Sequence, residues 1–184
     1  MSLTAKPTQD LLRQTRQAAH PQCIVCGQAS ARGLGLRFAP CDGGGVEAVF
    51  ECEERFQGYP NLLHGGVTSS LLDGAMTNCL FAHGILAVTA EMTVRFRHPV
   101  DLGSCVKVFA RLTRSQAPLH VVVAELTQGG QVKAIATGKF MEMKPPAPSP
   151  AALRHEKDAA IRHAGVSPGI TAAEAGPSMR LRMP

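Results

Sequence analysis

The sequence predicts an α+β fold in which a curved, mostly antiparallel sheet wraps around one long central helix. Residues 64–81 are apolar at helical spacing and contain a single acidic residue. Segments with period-two alternation of apolar residues precede this helix twice and follow it four times. Because Gly-rich turns connect several of these strands, neighbouring strands are expected to pair in antiparallel fashion around the apolar helix.

Composition excludes several classes of protein. The 184 residues carry a net charge of only +5, aromatic residues make up 4% and Trp is absent, which argues against a nucleic-acid partner. No apolar run has the length of a membrane span or of a signal peptide. We therefore expect a cytoplasmic protein with reduced thiols and no membrane association.

The chain is expected to comprise three parts. Residues 1–22 form a helical extension, in which Thr8 caps a short amphipathic helix that contains Leu11 and Leu12. Residues 23–143 form the domain. Residues 144–184 are rich in Pro and Ala, and we expect them to be a flexible tail whose role the sequence does not indicate.

A His-x2-Cys-x2-Cys motif, formed by His20, Cys23 and Cys26, resembles half of a zinc site. No second close Cys/His pair follows, and Cys41 or Cys52 could contribute only if the fold delivered them. A redox role is disfavoured because no βαβ pattern surrounds the motif. The sequence therefore favours a tight turn with small buried thiols and no metal.

The predicted strands follow in order along the domain. Alternation of Leu34, Leu36 and Phe38 predicts the first strand, and a Gly-rich turn at 42–45 leads to the second. A loop then enters the helix. The second strand is expected at 46–50, before the helix, and four more follow the helix at 88–96, 105–112, 120–126 and 132–140. Two glycines at 128–131 predict a hairpin between the last two strands.

The helix itself carries the chemistry that the sequence offers. It should begin at His64 and end near Phe81, with a glycine stop just beyond it. Gly65 and Gly66 lie at its N-terminus, where unpaired amides and the helix dipole favour negative charge. Asp73 is its one carboxylate, and so the one candidate base or nucleophile on this helix.

The order and spacing of several motifs resemble a known family. The matching residues are Cys23-x-x-Cys26-Gly27, Gly33-Leu34-x-Leu36, Gly58, His64-Gly65-Gly66, Asp73, Val88-Thr89, Phe96 and Pro99. From Cys23 to Met143 the chain resembles hotdog-fold acyl-CoA thioesterases of the phenylacetyl-CoA and medium-chain type. The resemblance implies hydrolysis of an acyl-CoA to free acid and CoA without a cofactor, by a homodimer or homotetramer.

The resemblance also implies roles at the helix. An amide of Gly65 or Gly66 would polarise the thioester carbonyl, and Asp73 would act as base or nucleophile. Thr89 would hold the attacking water. His64 is expected to orient the start of the helix, since the helix dipole disfavours a cationic imidazole there.

Candidate substrate-binding residues lie on either side of these groups. Gly58 stands where some relatives carry Asn or Gln, and Asn61 lies close by but off register. Arg95, Arg97 and His98 could bind the CoA phosphates, although basic residues at a strand end are more often simply solvated.

Helix geometry constrains how one thioester could meet both groups. Gly66 and Asp73 share a helix face but lie roughly 10 Å apart, so they would have to come from two helices. A homodimer would then be the smallest active unit. The alternatives are a buried, hydroxyl-paired Asp73, a non-catalytic acyl-CoA or acyl-ligand binding module, and, more weakly, a hydratase or dehydratase, while the acyl chain is not specified.

Overall fold

The computed structural model describes residues 6–27 and 33–143, so the predicted tail lies outside the described residues. Two α-helices are present in this part of the chain, α1 (Gln9–Ala19) and α2 (Gly65–Ala82). A short 3-10 helix spans Glu54–Phe56. The strands are β1 (Ala39–Cys41), β2 (Gly45–Glu51), β3 (Ala87–Phe96), β4 (Cys105–Gln116), β5 (Leu119–Gln128) and β6 (Gln131–Glu142).

The six strands form one sheet in the order β1-β2-β4-β5-β6-β3, and every neighbouring pair is antiparallel. Helix α2 packs against β2 to β6, so the sheet curves around it. This arrangement confirms the predicted fold class. Within the described residues, no helix combines the length and hydropathy needed to cross a membrane.

Helix α2 forms the centre of the core, as predicted. Leu71, Leu72, Met76 and Leu80 are completely buried. The helix ends where Gly84 adopts a φ of +73°, a left-handed conformation that Gly reaches without strain. The N–H of Gly84 donates to the carbonyl of Phe81 at 2.9 Å, which satisfies one of the last carbonyls of the helix.

The predicted strand at 34–38 is wrong in position, because the first strand is the short segment Ala39–Cys41. Leu36 and Phe38 are 1% and 2% exposed, so the period-two alternation does reflect burial. The backbone there pairs elsewhere, since the N–H of Leu36 donates to Val25 O at 3.0 Å. An alternating pattern indicates which side chains are buried, but it does not indicate whether the backbone pairs with a strand or with another segment.

Helix α1 agrees with the sequence. Thr8 Oγ1 accepts a hydrogen bond from the N–H of Leu11 at 3.3 Å, which makes Thr8 the predicted N-cap. The N–H of Thr8 donates to Ala82 O at 3.0 Å, at the end of α2. Leu12 is completely buried, so α1 contributes to the core beside α2.

Gly74 is held in close contact with Val25 of the N-terminal segment, where a Cβ would overlap with Val25 Cγ1. We expect Gly74→Ala to lower the free energy of unfolding by up to about 2 kcal/mol. Overpacking a core costs about 1–3 kcal/mol, and the better helix propensity of Ala offsets about 1 kcal/mol of that. Urea unfolding of the full chain measures the change.

Removing the opposing methyl groups provides the control. In a Val25→Ala background the overlap is gone, so Gly74→Ala should become neutral or stabilising by up to about 1 kcal/mol. An equal loss of stability in both backgrounds would contradict the packing explanation.

Candidate functional site

The loop that leads into α2 is tied down on both sides. The N–H of Leu63 donates to Val100 O and that of His64 donates to Phe56 O, each at 2.9 Å. A Cβ at Gly58 would lie 3.0 Å from His64 Cα. Gly58 therefore allows the loop to approach His64 closely. This close packing is by itself a reason for glycine at position 58, without any contact with substrate.

His64 caps the helix with its side chain. Its Nδ1 accepts a hydrogen bond from the N–H of Gly66 at 2.8 Å, which leaves the proton of a neutral ring on Nε2. A Cβ at Gly66 would lie 2.9 Å from the same Nδ1. The amide of Gly66 is therefore already occupied, and a side chain at this position would displace the imidazole.

Gly65 offers the amide that remains. Among the described residues no acceptor is bonded to its N–H, and the residue is exposed at the start of α2. A Cβ at Gly65 would meet only the ring of Phe96, at 3.7 Å. Of the two glycines predicted for oxyanion binding, Gly65 is thus the one whose amide can reach a ligand.

Asp73 and Thr89, which the family resemblance assigns to one site, are joined by a hydrogen bond. Thr89 Oγ1 donates to Asp73 Oδ1 at 2.7 Å, between the middle of α2 and the start of β3. Asp73 is half-buried and Thr89 is exposed, so the pair is open to solvent. A carboxylate with a hydroxyl beside it can orient a water molecule or be satisfied by that hydroxyl alone.

A β-bulge places Thr89 on the helix side of the sheet. In the pairing of β3 with β6, Thr89 lies opposite Phe140 and Met92 opposite Gly138, so one extra residue stands on β3. Strict alternation from Met92 would have turned Thr89 to the outer face. The bulge returns its hydroxyl to Asp73.

A groove of about 400 Å³ lies beside the start of α2. Its lining includes the predicted residues Gly65, Arg97 and His98, while the predicted Arg95 does not belong to it. Tyr59 and Phe96 also line this groove and are largely exposed, although neither was a predicted site residue. Their exposure is a structural signal, because rings of this size are normally buried.

The predicted Asn61 has a structural role in the loop. It adopts a positive φ of 63°, a conformation that Asn tolerates better than most residues. Its N–H donates to Gln57 Oε1 at 2.9 Å, and its carbonyl accepts from the N–H of Leu102 at 3.0 Å. These bonds engage the backbone of Asn61 in a turn near the start of the helix.

His20 comes within electrostatic range of Asp73, which the sequence did not indicate. Burial lowers the pKa of His20, and the negative charge of Asp73 partly opposes that shift. The ring of His20 packs edge-on against Phe81, with centroids 4.9 Å apart. The segment after α1 therefore lies against the same helix that carries the candidate carboxylate.

Comparisons with known proteins show similarity to thioesterases. The family model of the thioesterase superfamily matches residues 60–135, which contain α2, β3 and every residue that lines the groove except Tyr59. Acyl-coenzyme A thioesterase 13 from Homo sapiens is 28% identical over 98 residues, 52% of this chain and 70% of that protein. Acyl-coenzyme A thioesterase THEM4 from Bos taurus is 27% identical over 99 residues, 53% of this chain.

The chain matches only 40% of the length of the Bos taurus protein. Among solved structures, a phenylacetic acid degradation-related protein from Ralstonia eutropha JMP134 is 25% identical, with a TM-score of 0.58, over 71% of this chain and 98% of that one. Sheet topology and the central helix agree with the hotdog fold, and residues 60–135 are similar to the thioesterase superfamily.

Proposed function

We propose that this protein hydrolyses acyl-CoA thioesters to the free acid and CoA. The observation that carries the proposal is the 2.7 Å hydrogen bond between Thr89 and Asp73, on a helix whose first amide is available to a ligand. Two relatives, each matching about half of this chain, are named acyl-coenzyme A thioesterases, which supports the same chemistry.

The proposed reaction uses two groups of α2, the amide of its first residue and the carboxylate of Asp73 in its middle. The thioester carbonyl oxygen accepts a hydrogen bond from the Gly65 amide, where the helix dipole stabilises the negative charge that develops. Asp73 takes a proton from a water held by Thr89, and the water oxygen attacks the carbonyl carbon. The carbon–sulfur bond then breaks, and the CoA thiolate leaves and is protonated.

A second route to hydrolysis uses the same residues but differs in its first step. In this route Asp73 attacks the carbonyl carbon itself, the carbon–sulfur bond breaks and the CoA thiolate leaves, and water then hydrolyses the resulting mixed anhydride. Both routes place Asp73 at the reacting carbon and Gly65 at the carbonyl oxygen. Both therefore predict the same loss when either group is removed.

The site we propose is shared between two chains. Gly65 and Asp73 are eight residues apart on α2, about 12 Å along the axis, which exceeds the span of one thioester group. Strand β3 lies at the end of the sheet order, so its outer edge is available for a second copy. A homodimer would set Asp73 and Thr89 of one chain against Gly65 of the other, whether or not dimers assemble further into tetramers.

Arg97 and His98 are proposed to face the CoA phosphates. Both line the groove beside Gly65, and both have their backbone N–H groups bonded to Lys133 O, at 2.8 and 3.1 Å. Charged donors bind phosphate oxygens strongly when the backbone behind them is fixed. Arg95 lies outside the groove lining, and we do not include it in this phosphate site.

The test is a panel of short, medium, long and aromatic acyl-CoAs incubated with the full chain. We expect turnover of at least one class, measured by chromatography of the released CoA. Thiol reagents are less suitable because exposed Cys105 would itself react. Saturable binding of several acyl-CoAs without any release of CoA would instead identify a non-catalytic binding module.

A further inference from the structure

The His-x2-Cys-x2-Cys segment forms a cluster that the proposed function does not use. The candidate ligand atoms of His20, Cys23 and Cys26 all lie within 4.8 Å of one another. A tight turn brings them together, since the N–H of Gly27 donates to Cys23 O at 2.8 Å. A Cβ at Gly27 would overlap with the backbone of Cys23, so this turn requires Gly.

Two polar atoms beside the cluster are buried and unsatisfied. Among the described residues, His20 Nδ1 and Asn78 Oδ1 have no hydrogen-bond partner. Asn78 is completely buried on α2, and its Nδ2 donates to Gly74 O at 2.8 Å. Burial raises the pKa of the Cys26 thiol, and a hydrogen bond donated by the Asn78 side chain lowers it by a smaller amount. Unpaired buried polar atoms are costly, so their presence beside three potential ligands indicates a missing partner.

We propose that His20, Cys23 and Cys26 bind one Zn²⁺ ion, with a water molecule in the fourth position. Two thiolates and an imidazole are the ligands that Zn²⁺ prefers. Tetrahedral zinc would place these ligand atoms about 3.5–3.8 Å apart. The observed ligand atoms lie within 4.8 Å of one another, so side-chain rotations that move them by about 1 Å would bring them to the spacing of a zinc site.

The proposal departs from the metal-free turn that the sequence favours. The motif supplies three ligands, and water completes the site. No local pattern shows that the turn brings these three groups together against α2, because that depends on the packing of the N-terminal segment on the helix.

Such an ion would have a structural role. Val25, between the two cysteines, packs against Gly74, which is adjacent to Asp73 in the sequence. The carbonyl of Val25 also accepts from the N–H of Leu36. Zinc bound here would hold the N-terminal segment against the helix beside the candidate carboxylate.

The test measures metal rather than activity. The full chain is produced with zinc in the medium and purified without chelators, and zinc is quantified by mass spectrometry. We expect about one zinc per chain in the wild type and in the control Cys105→Ser, an exposed cysteine outside the cluster. Cys23→Ser and Cys26→Ser should each retain less than about a tenth of that amount.

A second measurement keeps the proposal falsifiable if the serine variants do not fold. Wild-type protein stripped of metal should bind Co²⁺ with the thiolate charge-transfer and tetrahedral ligand-field bands of a sulfur site, and added Zn²⁺ should raise its Tm. Absence of both zinc and the cobalt spectrum would overturn the proposal. So would unchanged zinc in Cys23→Ser and Cys26→Ser, or a Cys23–Cys26 disulfide in protein purified under reducing conditions.

Discussion

Asp73→Asn is expected to lower kcat by a factor of about 100 or more while leaving the affinity for acyl-CoA largely intact. Asn has the shape of Asp and can still accept the hydrogen bond from Thr89, so the fold and the groove should be preserved. It cannot take a proton or attack a carbonyl carbon at neutral pH. Steady-state kinetics with the best substrate of the panel, together with a binding measurement, separate these effects.

Thr89 provides a matched pair of controls for this experiment. Thr89→Ser keeps the hydroxyl that donates to Asp73 Oδ1 and should stay within a few-fold of wild type, whereas Thr89→Val removes it at nearly constant volume and should lose about 10-fold or more in kcat. Near wild-type turnover in Asp73→Asn would mean that the carboxylate is a structural group and that catalysis lies elsewhere.

Mixing two inactive variants is expected to restore activity if the site is shared. Gly65→Val should block the oxyanion position, and Asp73→Asn should remove the base. In a mixed dimer one site inherits both defects and the other inherits neither. Random exchange makes about half of the dimers mixed, each with one intact site, so the mixture should regain about a quarter of wild-type activity.

Gly65 is a better position for this experiment than Gly66. A Cβ at Gly65 meets only the Phe96 ring at 3.7 Å, whereas a Cβ at Gly66 would displace His64. Native mass spectrometry must show that mixed dimers form. If they form and activity stays at the level of the parents, then Gly65 and Asp73 serve a single-chain site, or one of them has no part in catalysis.

Much of the fold and of the candidate site could be predicted because it depends on local chemistry. The N-cap at Thr8, the extent of α2 and the stop at Gly84 all follow from capping and turn preferences that act over a few residues. The antiparallel sheet around α2 followed from six alternating segments around one apolar helix. One strand was misplaced, because Leu34 and Leu36 donate to the carbonyls of Ile24 and Val25 and not to a neighbouring strand, and Gly35 between them has a positive φ of 69°.

The amino-acid sequence by itself determined the helix, the glycines at its start and the position of Asp73 upon it, since these are properties of spacing along one element. Tertiary structure alone decided which groups face one another. His64 engages the Gly66 amide and leaves that of Gly65, and a bulge in β3 turns Thr89 toward Asp73. The cysteine segment reaches α2 only through the packing of Val25 against Gly74. A bulge and a buried contact depend on register and on neighbours distant in sequence, which periodicity along the chain does not report.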